Sequence, residues 1–233
     1  MENIKEFLCS SVFFGVFVSL LGYELGLLLK RKLKWAILNP LLIAIIFVIV
    51  LLKLLQVDYD AYYSGAQYIS YLLTPATVCL AIPLYQQLAA LKKNWKAIAA
   101  GITAGVLSSL TSILLLSRLF GLTHEHYVTL LPKSITTAIG IGVSEELGGI
   151  VTVTVAVIII TGILGNMLAE MVCRLFKITD PIAKGLAIGT SSHAIGTVKA
   201  MEMGEVEGAM SSLAIAVSGL ITVIGASVFA QLL

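Results

Sequence analysis

Apolar runs about the length of a membrane crossing alternate with short polar joints along nearly the whole chain. A membrane helix needs about 20 consecutive apolar residues, and six runs meet or approach that length. They predict spans at residues 7–29, 38–55, 72–91, 95–119, 151–176 and 209–232. Two further stretches break the pattern. Residues 131–150 read LPKSITTAIGIGVSEELGGI, and residues 182–200 lie within DPIAKGLAIGTSSHAIGTVKAMEMGEVEGAM, from Asp180 to Met210. Both are too polar for a helix facing lipid, where every unsatisfied polar group is costly. Small residues permit close backbone approach, and glycine permits a helix to break. Such segments are tolerated at membrane depth only where they pack inside protein or line a watery cavity, as in transporter binding sites. They predict broken or re-entrant helices.

The smaller punctuation refines this outline. Pro75 and Pro83 each remove a backbone donor from the run at 72–91 and predict a break in that helix. Lys30, Arg31, Lys32 and Lys34 form the densest positive cluster and mark a cytoplasmic loop, with Lys92, Lys93 and Lys96 marking a second. The tyrosine-rich stretch at 58–71 predicts an amphipathic helix at the outer interface. Residues 73–121 and 131–177 echo one another: proline with hydroxyls, a polar pair (Gln86-Gln87 against Glu145-Glu146), then a span closed by Arg-Leu-Phe. Transporters carry repeats of this kind. The N-terminal MENIKEF mixes acid and base and is followed by no small-residue cleavage site, so the first run reads as a retained span.

Composition narrows the class. The chain has 233 residues, 58% hydrophobic and 12% charged, with mean hydropathy +1.01. A soluble domain carries about 25% charged residues, so this is an integral membrane protein, all-α, with one membrane domain over residues 1–233. The net charge of +2 and the absence of a basic, aromatic-interleaved patch give no sign of nucleic acid. Cys9, Cys79 and Cys173 sit in or beside apolar runs without metal-ligand spacing; they read as buried small hydrophobes, with no disulfide, metal or cofactor expected.

Candidate chemistry gathers in the two broken segments. Lys133, Ser134, Thr136 and Thr137 open one; Thr190, Ser191, Ser192, His193 and Thr197 form the centre of the other. A small carboxylate needs a cation or a helix N-terminus for its charge and hydroxyl donors for its oxygens, and these segments supply both. His193 reads either as a packed core residue or as a substrate or proton ligand, since imidazole titrates near neutral pH. Glu145 and Glu146 read either as boundary charges or as a proton- or sodium-carrying pair. Asp180 and Lys199 are further ion-coupling candidates, and Lys184 reads as a helix-end anchor. No nucleophile–base–acid set appears, so no enzyme is expected. Two carboxylates flanking a sugar would need an open aqueous cleft.

PKSITT with EELGGI, the run DPIAKGLAIGTSSHAIGT, and EVEGAMSSLAI together resemble the LrgB/CidB family of bacterial membrane proteins, over essentially the whole chain. The chain departs from that pattern at Ala138, where proline is expected. The resemblance implies a multi-pass protein of the bacterial inner membrane, similar in outline to elevator-type carriers and forming a homodimer. It implies one of two functions. The first is a proton- or sodium-coupled carrier of small monocarboxylates of the glycolate, glycerate, lactate or pyruvate type. The alternative is an antiholin-like regulator of murein hydrolase activity and lysis, acting beside a small LrgA/CidA-type membrane partner.

Overall fold

The structure, a computed structural model, describes residue 11 and residues 13–33 and 39–233. MENIKEF, Cys9, Lys34, the first residues of the expected spans at 7–29 and 38–55, and the Thr77 side chain lie outside the described residues. Every regular element described is helical. Four stretches are long and apolar enough to cross a membrane: Tyr59–Gln86, Leu88–Leu119, Val151–Leu175 and Glu205–Ala230. This is an all-α, multi-pass membrane protein.

The chain divides into two compact units, residues 1–79 and 80–233. In the first, α1 (Phe14–Leu33), α2 (Pro40–Leu55), α3 (Tyr59–Ser70) and α4 (Leu73–Cys79) follow one another. Asn39 caps α2 by accepting from Leu41 N at 2.8 Å, with Pro40 in the first turn, where its missing N–H costs nothing. Close helix approach comes from glycine. A methyl on Gly26 would sit 2.6 Å from the Pro40 carbonyl oxygen, and one on Gly22 would sit 2.9 Å from the Phe47 ring. Tyr62 on α3 shares a hydrogen bond with Ser19 at 2.7 Å.

The second unit holds α5 (Ala81–Gln86), α6 (Leu88–Leu119), α7 (His124–Leu130), α8 (Thr137–Glu146), α9 (Val151–Leu175), α10 (Pro181–Met203) and α11 (Glu205–Ala230). Helical structure is interrupted at Leu80 and Gln87, around the Pro83 segment. The sequence alone puts a loop at Lys92, Lys93 and Lys96. In the structure α6 runs straight through them and only kinks at Asn94 (φ −112°, ψ 15°), whose side chain donates to the Ala90 carbonyl at 2.9 Å. Lysine is a good helix former, and one asparagine bends the helix without ending it. Ile98, Ile102, Val106, Leu110 and Ile113 form one stripe of α6 and pack in the same core as Ala209, Met210, Ala214 and Ala226 of α11.

α10 is two helices. Its N-terminus is capped by Asp180, which accepts from Ala183 N at 2.9 Å. At His193 the backbone takes φ 41° and ψ −141°. The first arm runs parallel to α11: Gly185 faces Glu207 and Met210, and Gly189 faces Ser211 and Ala214. The second arm runs antiparallel to α11: Thr197 bonds Ser211 at 2.7 Å, and Gly208 faces Met201. The arms are therefore antiparallel to each other. Residues 181–203 form a hairpin with its tip at His193. The arms, 181–192 and 194–203, reach about 18 and about 15 Å at 1.5 Å per residue, roughly half a hydrocarbon core about 30 Å thick. The sequence alone credits glycine with the break. Gly185 and Gly189 instead let α11 approach closely, and the break falls on a histidine.

Residues 124–146 form a second hairpin, entering from the other end of α9. Ile150 N donates to the Thr129 hydroxyl at 2.8 Å, and the Thr154 hydroxyl donates to the Thr129 carbonyl at 2.9 Å, so the end of the first arm lies beside the start of α9. Gly140 lies against Ile158, deeper along α9, and faces Pro132. α8 then returns, with Ser144 bonding Thr154 at 2.7 Å. The irregular tip spans residues 131–136.

The internal echo has a structural counterpart. Both Arg-Leu-Phe motifs end a helix with the same left-handed cap. Gly121 (φ 61°) follows α6, where Leu122 N reaches the Ser117 carbonyl at 2.9 Å; Lys177 (φ 54°) follows α9, where Ile178 N reaches the Cys173 carbonyl at 2.8 Å. α6 and α9 run in opposite directions, since the first arm of α10 is parallel to α6 (Gly101 on Leu186, Gly105 on Thr190) and antiparallel to α9 (Gly165 on Ser192, Ala169 clustered with Ile188).

Candidate functional site

The two hairpin tips meet against α9. Between them lies a cavity of about 290 Å³, lined by Lys133 from one tip, Ser191 and Ser192 from the other, and Thr161, Gly165, Leu168, Val172 and Cys173 from α9. Lys133 sits on irregular backbone, half-buried, and its Nζ donates to Ser134 Oγ at 2.9 Å. Ser134 in turn reaches Ser109 of α6 at 3.3 Å. No carboxylate among the described residues pairs with Lys133. Burying a cation at membrane depth without a carboxylate partner is costly, which makes Lys133 the candidate binding group of this cavity. The opposite wall supplies hydroxyls: Ser191 and Ser192 share a bond at 3.0 Å.

Glycine on α9 makes this meeting possible. A methyl on Gly165 would overlap the Ser192 side chain, and one on Gly162 would sit 2.8 Å from the His193 ring. The His193 ring lies away from the cavity and turns toward α9, with Nε2 2.9 Å from the Ile158 carbonyl; that nitrogen must carry the proton to donate. The His193 carbonyl accepts from the Thr197 hydroxyl at 2.9 Å, and Asn166 donates to the Ile195 carbonyl at 2.9 Å. These bonds satisfy backbone at the break, as a low-dielectric setting requires.

Of the residues singled out in the sequence, Lys133, Ser191 and Ser192 share the cavity, with Ser134 behind Lys133. Thr136 is the N-cap of α8 and Thr137 its first residue. The Thr190 hydroxyl is spent on the Leu186 carbonyl at 2.7 Å, and Thr197 on the α10–α11 contact. Glu145 and Glu146 are exposed at the end of α8, and Asp180 is the helix cap. Lys199 bridges Glu170 at 2.7 Å and Glu202 at 3.1 Å. None of these last four lines the cavity. Gly162, Gly165, Thr161 and Asn166 are the contributors that the sequence leaves hidden in an apolar span. Their signal is a small–x–x–small pair followed directly by a lone asparagine. Among the described residues no group of three His, Cys, Asp or Glu side chains could hold a metal.

The break itself makes a test. A β-carbon at positive φ is strained, and histidine offsets this through the bond to Ile158. His193→Ala loses the bond and keeps the strain; His193→Gly loses both. Thermal unfolding in detergent should rank wild type above His193→Ala, with His193→Gly recovering about 1 kcal/mol relative to alanine. Equal stability of the two variants would mean that the positive φ carries no strain.

The arrangement of two half-membrane hairpins around a lone cation can be set against known proteins. A family model described as "LrgB-like family" matches residues 19–232. A Bacillus subtilis (strain 168) protein, "Antiholin-like protein LrgB", is 40% identical over 224 residues, covering 96% of this chain and 97% of its own. Proteins of the same name from Bacillus mycoides (strain KBAB4) and Bacillus cereus (strain B4264) are each 38% identical over 213 residues, 91% of this chain and 93% of theirs. No solved structure matches. The family match spans both hairpins and every residue of the cavity between them, and on it this chain belongs to the LrgB-like family.

Proposed function

We propose that the protein acts, as its relatives are named, as an antiholin-like membrane protein that restrains murein hydrolase activity and lysis beside a small LrgA/CidA-type partner in the bacterial cell membrane. The observation that carries this reading is 40% identity along 96% of the chain to a protein of that name. In a bacterium deleted for its own pair, expressing this chain together with the partner should slow detergent-induced autolysis. Autolysis at the empty-vector rate, with the protein present in the membrane, would count against the role.

A second reading rests on a specific observation, the Lys133 cavity. It supports binding of a small monocarboxylate. One unpaired ammonium suits one carboxylate, and Leu168 and Val172 suit a short carbon chain rather than a second charge. The readings are compatible, because moving a weak acid changes the conditions under which lysis is triggered.

A further inference from the structure

A second, larger cavity of about 640 Å³ lies beside the first and shares two wall residues with it, Cys173 and Ile178. Along α9 the inner cavity touches positions 161–173 and the outer one positions 170–177. Along the first arm of α10 the outer cavity touches Lys184 and the inner one positions 187–192. The two follow one another from the end of α9 to the hairpin tips and share a wall at Cys173 and Ile178. The mouth is charged, yet each of its carboxylates is held by a cation. Lys199 lies 2.7 Å from Glu170 and 3.1 Å from Glu202, Arg174 lies 3.4 Å from Glu170, and Lys184 lies 3.9 Å from Glu207. An approaching anion meets neutralised acids there, with Lys177 on the rim.

The face on which this mouth opens follows from the packing. Gly101 and Gly105 of α6 lie against Leu186 and Thr190. The start of α6, with Lys92, Lys93 and Lys96, therefore belongs to the same face as Lys184, Arg174 and Lys177. The opposite face carries Glu125, Glu145 and Glu146, with Arg118 its one basic residue from α6. Lysine and arginine concentrate on the cytoplasmic side of membrane proteins. On the opposite side the other hairpin, residues 124–146, stands between Lys133 and the solvent.

We infer that the Lys133 cavity is open to the cytoplasm alone, with the charged vestibule as its mouth and the 124–146 hairpin as its closed outer wall. The inference takes its ligand from the carboxylate reading above, but its sidedness from helix packing and the distribution of lysine and arginine. The test uses the full chain in membrane vesicles, with Cys9, Cys79 and Cys173 replaced by serine and Ser191→Cys introduced on the exposed cavity wall. A membrane-impermeant maleimide should label this thiol in inside-out vesicles and leave it unlabelled in right-side-out ones. Thr179→Cys should label from the same side and Glu145→Cys from the opposite side, which fixes the orientation of each preparation. Should Ser191→Cys fail to accumulate, Ala187→Cys on the same wall replaces it. Labelling from the outer face, from both faces, or from neither overturns the inference. Lactate or pyruvate added beforehand should slow labelling of Ser191→Cys but not of Thr179→Cys. One-sided labelling that these acids leave unchanged would sink the carboxylate reading and keep the access path; protection seen only from the outer face would do the reverse.

Discussion

Lys133→Met should make the protein more stable and, on the carboxylate reading, abolish anion binding. The lysine is half-buried, lacks a carboxylate partner among the described residues, and spends one N–H on Ser134. Replacing a poorly compensated buried charge by an apolar side chain of similar length is commonly neutral or stabilising, here by about 1–2 kcal/mol. Removing the cation from a desolvated charge pair costs about 2–5 kcal/mol of binding, which is roughly 30-fold to several thousand-fold in affinity. Thermal unfolding in detergent, with and without small carboxylates, reads both effects. Wild type should gain stability with ligand, and Lys133→Met should start higher and gain nothing. Lys133→Arg keeps the charge but brings a planar fork into a space shaped for a compact ammonium, so it should fall between the two. A large loss of stability in Lys133→Met would instead make the lysine a structural strut.

Gly189→Val should prevent the protein from assembling. A β-carbon at this position collides with the Ser211 carbonyl and lies 2.8 Å from Ala214 Cβ, so the first arm of the hairpin cannot seat on α11. Backbone cannot yield as a flexible side chain can, and the expected cost is about 3 kcal/mol or more. The variant should be scarce in the membrane and aggregated on size exclusion. Gly142→Ala is the matched control. It lies in α8 with nothing within 4 Å of the added carbon, and alanine should stabilise the helix by up to about 1 kcal/mol. Normal yield and a single symmetric peak for Gly189→Val would contradict the packing described for the hairpin.

The sequence carried the class and pointed to the two segments that line the cavity, because both readings depend on composition over a window. A polar, small-residue stretch such as residues 182–200 stands out in a chain that is 58% hydrophobic, and lipid gives such a stretch few alternatives to a protein-lined cavity. Lys133 with Ser191 and Ser192 could be nominated on chemistry alone. The direction of each segment could not. A hairpin and a crossing have the same hydropathy; only contacts such as Gly185 on Glu207 together with Thr197 on Ser211 separate them. Positive-inside reasoning gains its force after that step, since residues 124–146 entering and leaving on one face put Arg174 and Lys177 on the same face as Lys92 and Lys93. For a related reason the sequence left His193 open between a packed core residue and a ligand. Its ring chemistry suggests a ligand, whereas its position at φ 41° and its bond to Ile158 concern the turn itself. Gly162 and Gly165 gave only a weak signal, because glycine in a membrane helix is common and its meaning depends on what lies opposite.

The carboxylate reading of the cavity requires that Lys133, between the two hairpin tips, hold an anion that the protein can move. The direct measurement is uptake of labelled glycolate, glycerate, lactate and pyruvate into liposomes containing the purified chain alone, under an imposed proton or sodium gradient, with a pH indicator inside. Wild type should take up at least one of these acids faster than empty liposomes, and Lys133→Met, reconstituted to the same density, should not. Uptake of none of them by wild type, or equal uptake by Lys133→Met, would contradict it.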